Sequence, residues 1–373
     1  IDLTQFKRWY NQAGTPRLVV KQDYDAQQGI FSLNIEQLAP LNQPDNAPLH
    51  IPFAIELLDA QGHSVPLSFA GNRVDHVLDV TNKQQSFSFD GLTAKPVAVL
   101  LEDFSAPCIV QQQTTQADLL HIMRFARSDF SRWDAQQQLF ISAVKAAIKT
   151  PTQNLLDDEV INALRSLVIE KQGDLALIAE LLKLPSFDTL AAEFTVIPVD
   201  EIVAITQQFE QQIAGQLHRE FTACYQSLID DGSVSAAAVA VRALKGMCLH
   251  YLAKINELEN NQLLISAANS HNMTNVLAAL SAVVKADSSL ASELLNQFDS
   301  QWRHDVLVMD KWFALQAMQG ADNAIANIEK LYQHPCFDFS NPNRVRALVG
   351  SFSYFGCRWM IFRLFWLFVS FHK

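Results

Sequence analysis

The side chains able to carry chemistry are scattered along this sequence. Ten histidines occur, and neighbouring ones are never closer than 13 positions, as at His50, His63 and His76. Two ligands share one face of a helix only at a spacing of three or four, so no HExxH zinc helix exists here. The five cysteines, Cys108, Cys224, Cys248, Cys336 and Cys357, form no CxxC pair and suggest no disulfide framework. Reduced, mostly buried thiols of a cytoplasmic protein are expected from them. Gly350 and Gly356, the closest two glycines, stand six apart, which excludes GxGxxG, the P-loop and the GxSxG elbow. A triad or carboxylate dyad assembled from distant positions stays open, since geometry rather than chain order defines one.

A few pairs invite a functional reading, each beside a plainer one. Arg344 and Arg346 follow Asn341-Pro342, an N-cap with proline in the first helical position. A guanidinium fork beside a helix N-terminus favours an anion such as a peptide carboxylate; pairing with an acid within the fold is the alternative. Arg132-Trp133 suggests cation–π recognition or core packing, and Trp312-Phe313 suggests core packing. His250 beside Tyr251, and His304-Asp305, are expected to be structural rather than acid–base groups. Asn272-Met273-Thr274 fits a glycosylation sequon but reads better as a polar helix start.

The elements that position these residues fall into two textures. In a chain of 373 residues, eight of the 13 prolines lie before Val110, between short β-rich runs. The runs are Arg17–Asp23, Ile30–Leu38, Ile51–Leu58, Val74–Val80, Ser86–Phe89 and Val97–Glu102, with turn residues such as Asp90-Gly91 between them. This predicts an all-β, Ig-like sandwich over residues 1–112. From Thr115 onward apolar residues recur at helical spacing. Helices are predicted at Asp157–Glu170, Asp174–Leu182, Asp200–Ile229 with a break near Gly215, Val234–Ile255, Thr274–Lys285, Ala291–Phe298 and Asp322–Tyr332. Ser131 with Asp134 is expected to cap the helix after Phe125. Some ten helices with short connections predict an all-α superhelical, ARM/HEAT-like array over residues 113–352.

Composition narrows the functions further. Hydrophobic residues make up 49% and charged residues 18%, so the chain folds. Lys plus Arg is 28 against Asp plus Glu 39, a net charge of −11, and no basic run stands out, so nucleic acid is not an expected partner. The chain begins at Ile1 without Met or a leader and is expected to be a fragment or processed product. Residues 353–373 depart from the rest, with five Phe, two Trp, one Tyr and no acid. Arg358 and Arg363 argue against a membrane span there, and a truncated or frameshifted reading frame is the expected origin of this tail.

Several stretches, taken in order, resemble the bacterial aminopeptidase N family of zinc-dependent gluzincins. They are LTQFKRWYNQAGTP (Leu3–Pro16), PLHIPFAIELLD (Pro48–Asp59), FSAPC (Phe104–Cys108), RFARSDFSRWDA (Arg124–Ala135), NMTNVLAALSA (Asn272–Ala282), LVMDKWFALQA (Leu307–Ala317) and NPNRVRALVGSF (Asn341–Phe352). The resemblance implies the third, sandwich domain and most of the fourth, helical domain of a four-domain peptidase. The family's HExxH helix, downstream Glu ligand, GxMEN motif and transition-state Tyr belong upstream, so no catalytic or metal role carries over to any residue here. Zinc is thus implied for the parent enzyme and none for this chain. The resemblance also implies that the helical domain caps a catalytic domain and encloses a peptide chamber, with Arg344 and Arg346 as candidates to face it. The expected function is that of a non-catalytic fragment framing this chamber, with the parent's catalytic domain and its peptide substrate as partners. An independent sandwich-plus-solenoid protein-binding scaffold is the rival reading, and a membrane partner is not expected.

Overall fold

The computed structural model describes residues 2–39, 47–150, 156–318 and 324–355. The start predicted at Asp322 and the tail from residue 356 onward lie outside these. The chain divides into two compact units, Ile1–Ser142 and Ala143–Lys373.

The first unit is built on two facing sheets. The strands are β1 (Arg17–Asp25), β2 (Ile30–Leu38), β3 (Ile51–Leu58), β4 (Ser68–Phe69), β5 (Asn72–Arg73), β6 (Val77–Val80), β7 (Gln84–Phe89), β8 (Val97–Leu100) and β9 (Ile109–Gln111). One sheet has the order β7-β2-β1-β9, the other β6-β3-β8, and β4-β5 is a small hairpin. All pairings are antiparallel except that of β1 with β9. Alternation sets the inner face: Leu18 and Val20 on β1, with Phe31, Leu33 and Ile35 on β2, meet Phe53, Ile55 and Leu57 of β3 in one core. β3 is buried at every position but Pro52, as befits the central strand of its sheet.

Within this unit the helix Gln116–Phe125 is fastened to the β3–β4 connection. Thr115 and Asp118 form a reciprocal capping box at its start. Nε2 of His121 lies 2.8 Å from the Asp59 carbonyl, and the Phe125 ring covers Gly62. A β-carbon on Gly62 would stand 2.2 Å from Phe125 Cγ, and the residue has φ +86°, so glycine is required twice over.

Two of the expected strands end early. Val74–His76 leaves the sheet before β6, and Leu101 turns left-handed at φ 57° instead of extending β8 to Glu102. Asp103 and Phe104 are also left-handed, at φ 53° and 52°. The next helix, Asp129–Lys149, starts earlier than expected. Its first turn is held by Ser128, whose Oγ accepts from the Ser131 N–H at 3.1 Å, while Asp134 sits inside the helix and accepts from Gln138.

The second unit is helical. Helix Val199–Ser227 packs on Asp158–Glu170 and on Ala236–Leu252, which in turn packs on Leu175–Leu181 and Met273–Lys285. Met273–Lys285 meets Leu258–Ala268 and Ala291–Trp302, and Val306–Ala317 meets Ala291–Trp302 and Ala324–Tyr332. Asp157, Asp174, Ser186, Ser235, Asn272, Asp305 and Asn341 all cap the helices that follow them. The break expected near Gly215 is absent: the helix runs 29 residues, and Gly215 sits in open space on it. Ile229 and Val234, expected in helices, are exposed in the connection that follows.

Candidate functional site

Asn341 opens the last described helical segment, with its Oδ1 accepting from the N–H groups of Asn343 and Arg344 at 3.0 and 3.3 Å. This fixed entry aims Arg344 inward, where it is only 2% exposed. Its Nε donates to Asp310 Oδ1 at 2.6 Å, Nη2 to the Val306 carbonyl at 2.8 Å, and Nη1 to the Cys336 carbonyl. The guanidinium lies over the Phe313 ring, 4.8 Å from its centroid. Every edge of the fork is therefore engaged inside the fold, tying three segments together. Arg346, two residues on, is exposed, with a 3.3 Å contact from Nη1 to Asn343 Oδ1. It begins a π-helical turn, Arg346–Gly350, a rare geometry that turns side chains out of ordinary helical register. The fold thus places the two arginines in opposite settings: Arg344 is an internal clamp and Arg346 faces solvent.

The other singled-out residues have partners within their own units. Trp312 is 3% exposed and donates from Nε1 to the Leu295 carbonyl at 2.9 Å. Nε of Arg132 donates to the Met123 carbonyl at 2.9 Å, and the Trp133 ring lies tilted against Phe130 with centroids 5.8 Å apart. His304 lies against Trp302, while Asp305 caps the next helix through the N–H groups of Leu307 and Val308. Asn272 is likewise a cap, accepting from Thr274.

His250 belongs to a charged cluster that sequence spacing gave no reason to expect. Its Nε2 lies 3.1 Å from Glu210 Oε1, and Lys254 Nζ lies 2.8 Å from Glu210 Oε2. Burial pushes the Glu210 carboxyl upward, but the hydrogen bond and charge of His250, with Lys254, outweigh it and hold the group down at about 2. Tyr251 stacks on Phe221 at 4.8 Å and donates to the Leu182 carbonyl at 2.6 Å. A second pair, His334 and Asp299 at 3.2 Å, is joined by Arg303. In both clusters a cation stands where a metal would need a third donor. Among the described residues no group of three or more His, Cys, Asp or Glu converges, so they do not fit a catalytic zinc ion. No described helix is long and apolar enough to cross a membrane.

Residues 116–356 match the sequence family DUF3458_C, a domain of unknown function described as ARM repeats, and residues 14–113 match DUF3458, described as an Ig-like fold. The chain belongs to the DUF3458_C family. A sandwich followed by an ARM-type helical domain is thus its fold class. Over 364 residues, 95% of its length, it is 39% identical to Aminopeptidase N of Escherichia coli (strain K12). It is 38% identical over 359 residues to Aminopeptidase N of Haemophilus influenzae. In each case it spans 41% of the relative's length. The crystal structure of Legionella pneumophila aminopeptidase A in complex with aspartic acid superposes with a TM-score of 0.80 at 25% identity, over 94% of this chain and 41% of that one. The resemblance to bacterial aminopeptidase N read from the ordered motifs holds over nearly the whole chain.

Proposed function

We propose that this chain is the non-catalytic part of an aminopeptidase N-like zinc metallopeptidase, framing the chamber in which peptides lose their N-terminal residues. The observation that carries this reading is the 39% identity along 95% of the chain to a relative more than twice as long. In this reading the metal and the water it activates are held by residues outside the chain. The sandwich and the helical array then act as scaffold for a catalytic domain that binds the peptide. Arg346 is a side chain suited to meet a peptide carboxylate, because it is exposed just past the opening turn of a helix. Arg344 supports that turn from beneath.

The test is an assay of the purified chain on alanine p-nitroanilide with and without EDTA, alone and co-expressed with the remaining portion of the Escherichia coli relative. Turnover is expected only in the co-expressed pair, and there it is lost on chelation. EDTA-sensitive turnover by the chain alone would overturn the proposal.

A further inference from the structure

We propose that Cys224 and Cys248 form an oxidation site, at which hydrogen peroxide joins helices Val199–Ser227 and Ala236–Leu252 through a reversible disulfide. The site lies wholly within the helical unit, and the inference stands whether or not the parent is a peptidase.

Contacts on either side of the pair fix which residues face one another. The rings of Phe221 and Tyr251 stack with centroids 4.8 Å apart. Lys245 Nζ donates to the Leu228 carbonyl at 2.9 Å and to the Tyr225 carbonyl at 3.3 Å, and it lies 4.1 Å from the centroid of the Tyr225 ring. Positions thus rise along one helix as they fall along the other, so the two helices run antiparallel. Cys224 follows Phe221 by three residues and Cys248 precedes Tyr251 by three, close to one helical turn in each case. The two cysteines therefore meet between the stacked rings and the lysine. Both are enclosed, Cys224 at 2% and Cys248 at 0% exposure, and the Cys248 thiol donates a hydrogen bond to the Cys224 sulfur.

The surroundings divide the roles of the two sulfurs. That hydrogen bond, with the charges of Lys171 and Lys245, holds the Cys224 thiol below its ordinary range against the effect of burial. Donating the bond, together with burial, pushes the Cys248 thiol well up. Lys171 stands at the C-terminus of helix Asp158–Glu170, which packs on Val199–Ser227. Cys224 is therefore the nucleophile and Cys248 the resolving thiol. The Cys224 thiolate attacks one peroxide oxygen, the O–O bond breaks, hydroxide leaves and a sulfenic acid forms. Cys248 then attacks the Cys224 sulfur, the S–O bond breaks and a second hydroxide leaves. The protons shed by the two thiols turn both hydroxides into water, and the two electrons lost by the sulfurs reduce the peroxide. Enclosure restricts the oxidant to a small, uncharged molecule. Its route in is the last turn of Val199–Ser227, which holds Cys224 and leads to the exposed Ile229, since helix ends open most readily. The same enclosure keeps the sulfenic acid against Cys248, so the disulfide forms ahead of further oxidation.

The experiment treats the full chain with hydrogen peroxide, then unfolds it, blocks the remaining thiols with N-ethylmaleimide and maps the peptides by mass. It is run on the wild-type chain and on one carrying Cys108→Ser, Cys336→Ser and Cys357→Ser. A linked Cys224–Cys248 peptide is expected from both, with a loss of two hydrogen masses that dithiothreitol reverses. The wild-type result depends on no variant folding. With Cys248→Ser, dimedone should trap a sulfenic acid on Cys224; with Cys224→Ser, Cys248 should oxidise at least about tenfold more slowly than Cys224 does in the Cys248→Ser chain. The absence of the linked peptide from the wild-type chain would overturn the inference. So would the same mixture of disulfides from the native chain as from the chain treated in urea, or oxidation of Cys248 as fast as that of Cys224 in the single variants.

Discussion

The Glu102 carboxylate, 3% exposed, receives the Arg127 guanidinium side-on: Nε and Nη2 donate to Oε1 at 3.0 and 2.8 Å, and Nη2 reaches Oε2 at 2.8 Å. The pair pins the turn in which Leu101, Asp103 and Phe104 all adopt left-handed backbone, a conformation costing roughly 1–2 kcal/mol for each such residue. Ser128 helps, donating to Asp103 Oδ1 at 2.6 Å. The left-handed turn persists because its acidic residues are held from the helical side.

Removing Arg127 should therefore loosen the first unit. Arg127→Ala leaves a buried carboxylate without its cation. Because the arginine itself is largely exposed, the expected loss is on the order of 1–3 kcal/mol rather than that of a fully buried pair. Urea unfolding followed by Trp9 and Trp133 fluorescence measures it. Glu102→Gln with Arg127→Ala should cost less than Arg127→Ala alone, since the stranded charge is gone.

Arg344→Ala should be more damaging. It strands Asp310, whose side chain is 19% exposed, and frees two backbone carbonyls, for an expected loss of about 3 kcal/mol. Arg344→Lys should recover only part of this, because an ammonium cannot reach three separated acceptors from one plane. Arg346→Ala should leave the thermal midpoint almost unchanged. Differential scanning calorimetry of the three variants separates clamp from surface.

Glu210 gives the second unit an acid-sensitive element. Its carboxyl is held at about 2 against an ordinary value of 4.5. A depressed acid contributes stability in full above the unfolded value and loses it as pH falls through the folded one, so the window runs from 4.5 down to about 2. The contribution is on the order of 3 kcal/mol at neutral pH. The stability difference between wild type and Glu210→Gln should shrink across that window and stay flat above it; a difference that grows with acid would contradict this. Lys285 and Tyr251 also feel the Glu210 charge, so their backgrounds must be kept constant in the comparison.

Gly62→Ala should destabilise the first unit by more than about 1 kcal/mol, from backbone strain and from collision with Phe125 together. Adding Phe125→Ala should relieve the collision and leave the strain. A double-mutant cycle by thermal unfolding gives the division.

Thiol reactivity should rank by burial. Cys108 is buried, which pushes its thiol up to about 12, so at pH near 8 it stays protonated and inert. Cys336 is partly exposed and should react first with a thiol reagent among the described cysteines. Mass mapping after brief labelling reads the order.

How legible this was in the sequence depends on the range of each signal. Caps are local, so Asp157, Asp174, Asn272 and Asn341 announce helix starts correctly. The misreading at Ser131 has a local cause as well: Ser128 offers the same chemistry three residues earlier, and its bonds to Asp103 and to the Ser131 N–H decide between them. Gly215 looked like a break because isolated propensity disfavours glycine, yet the burial of Phe209, Ile213, Leu217 and Phe221 on one face carries the helix through it. Helix Leu258–Ala268 escaped notice because polar residues interrupt its apolar stripe, with Asn260 buried by bonding to the Ile255 carbonyl.

The candidate site was legible by residue type and not by partner. Arg344 stood out beside its cap, but Asp310 and Val306, which decide its role, lie 34 and 38 positions away. The Glu210 cluster joins residues 40 positions apart and leaves no pattern in either stretch.

β9 runs parallel to β1, setting Ile109–Gln111 beside Arg17–Val19. The outermost strands of the sandwich in chain order are thus direct neighbours pointing the same way. A pull that enters at Arg17 and leaves after Gln111 drags them past each other lengthwise. Their hydrogen bonds then share the load at once instead of opening singly, and this three-residue seam sets the force the sandwich withstands.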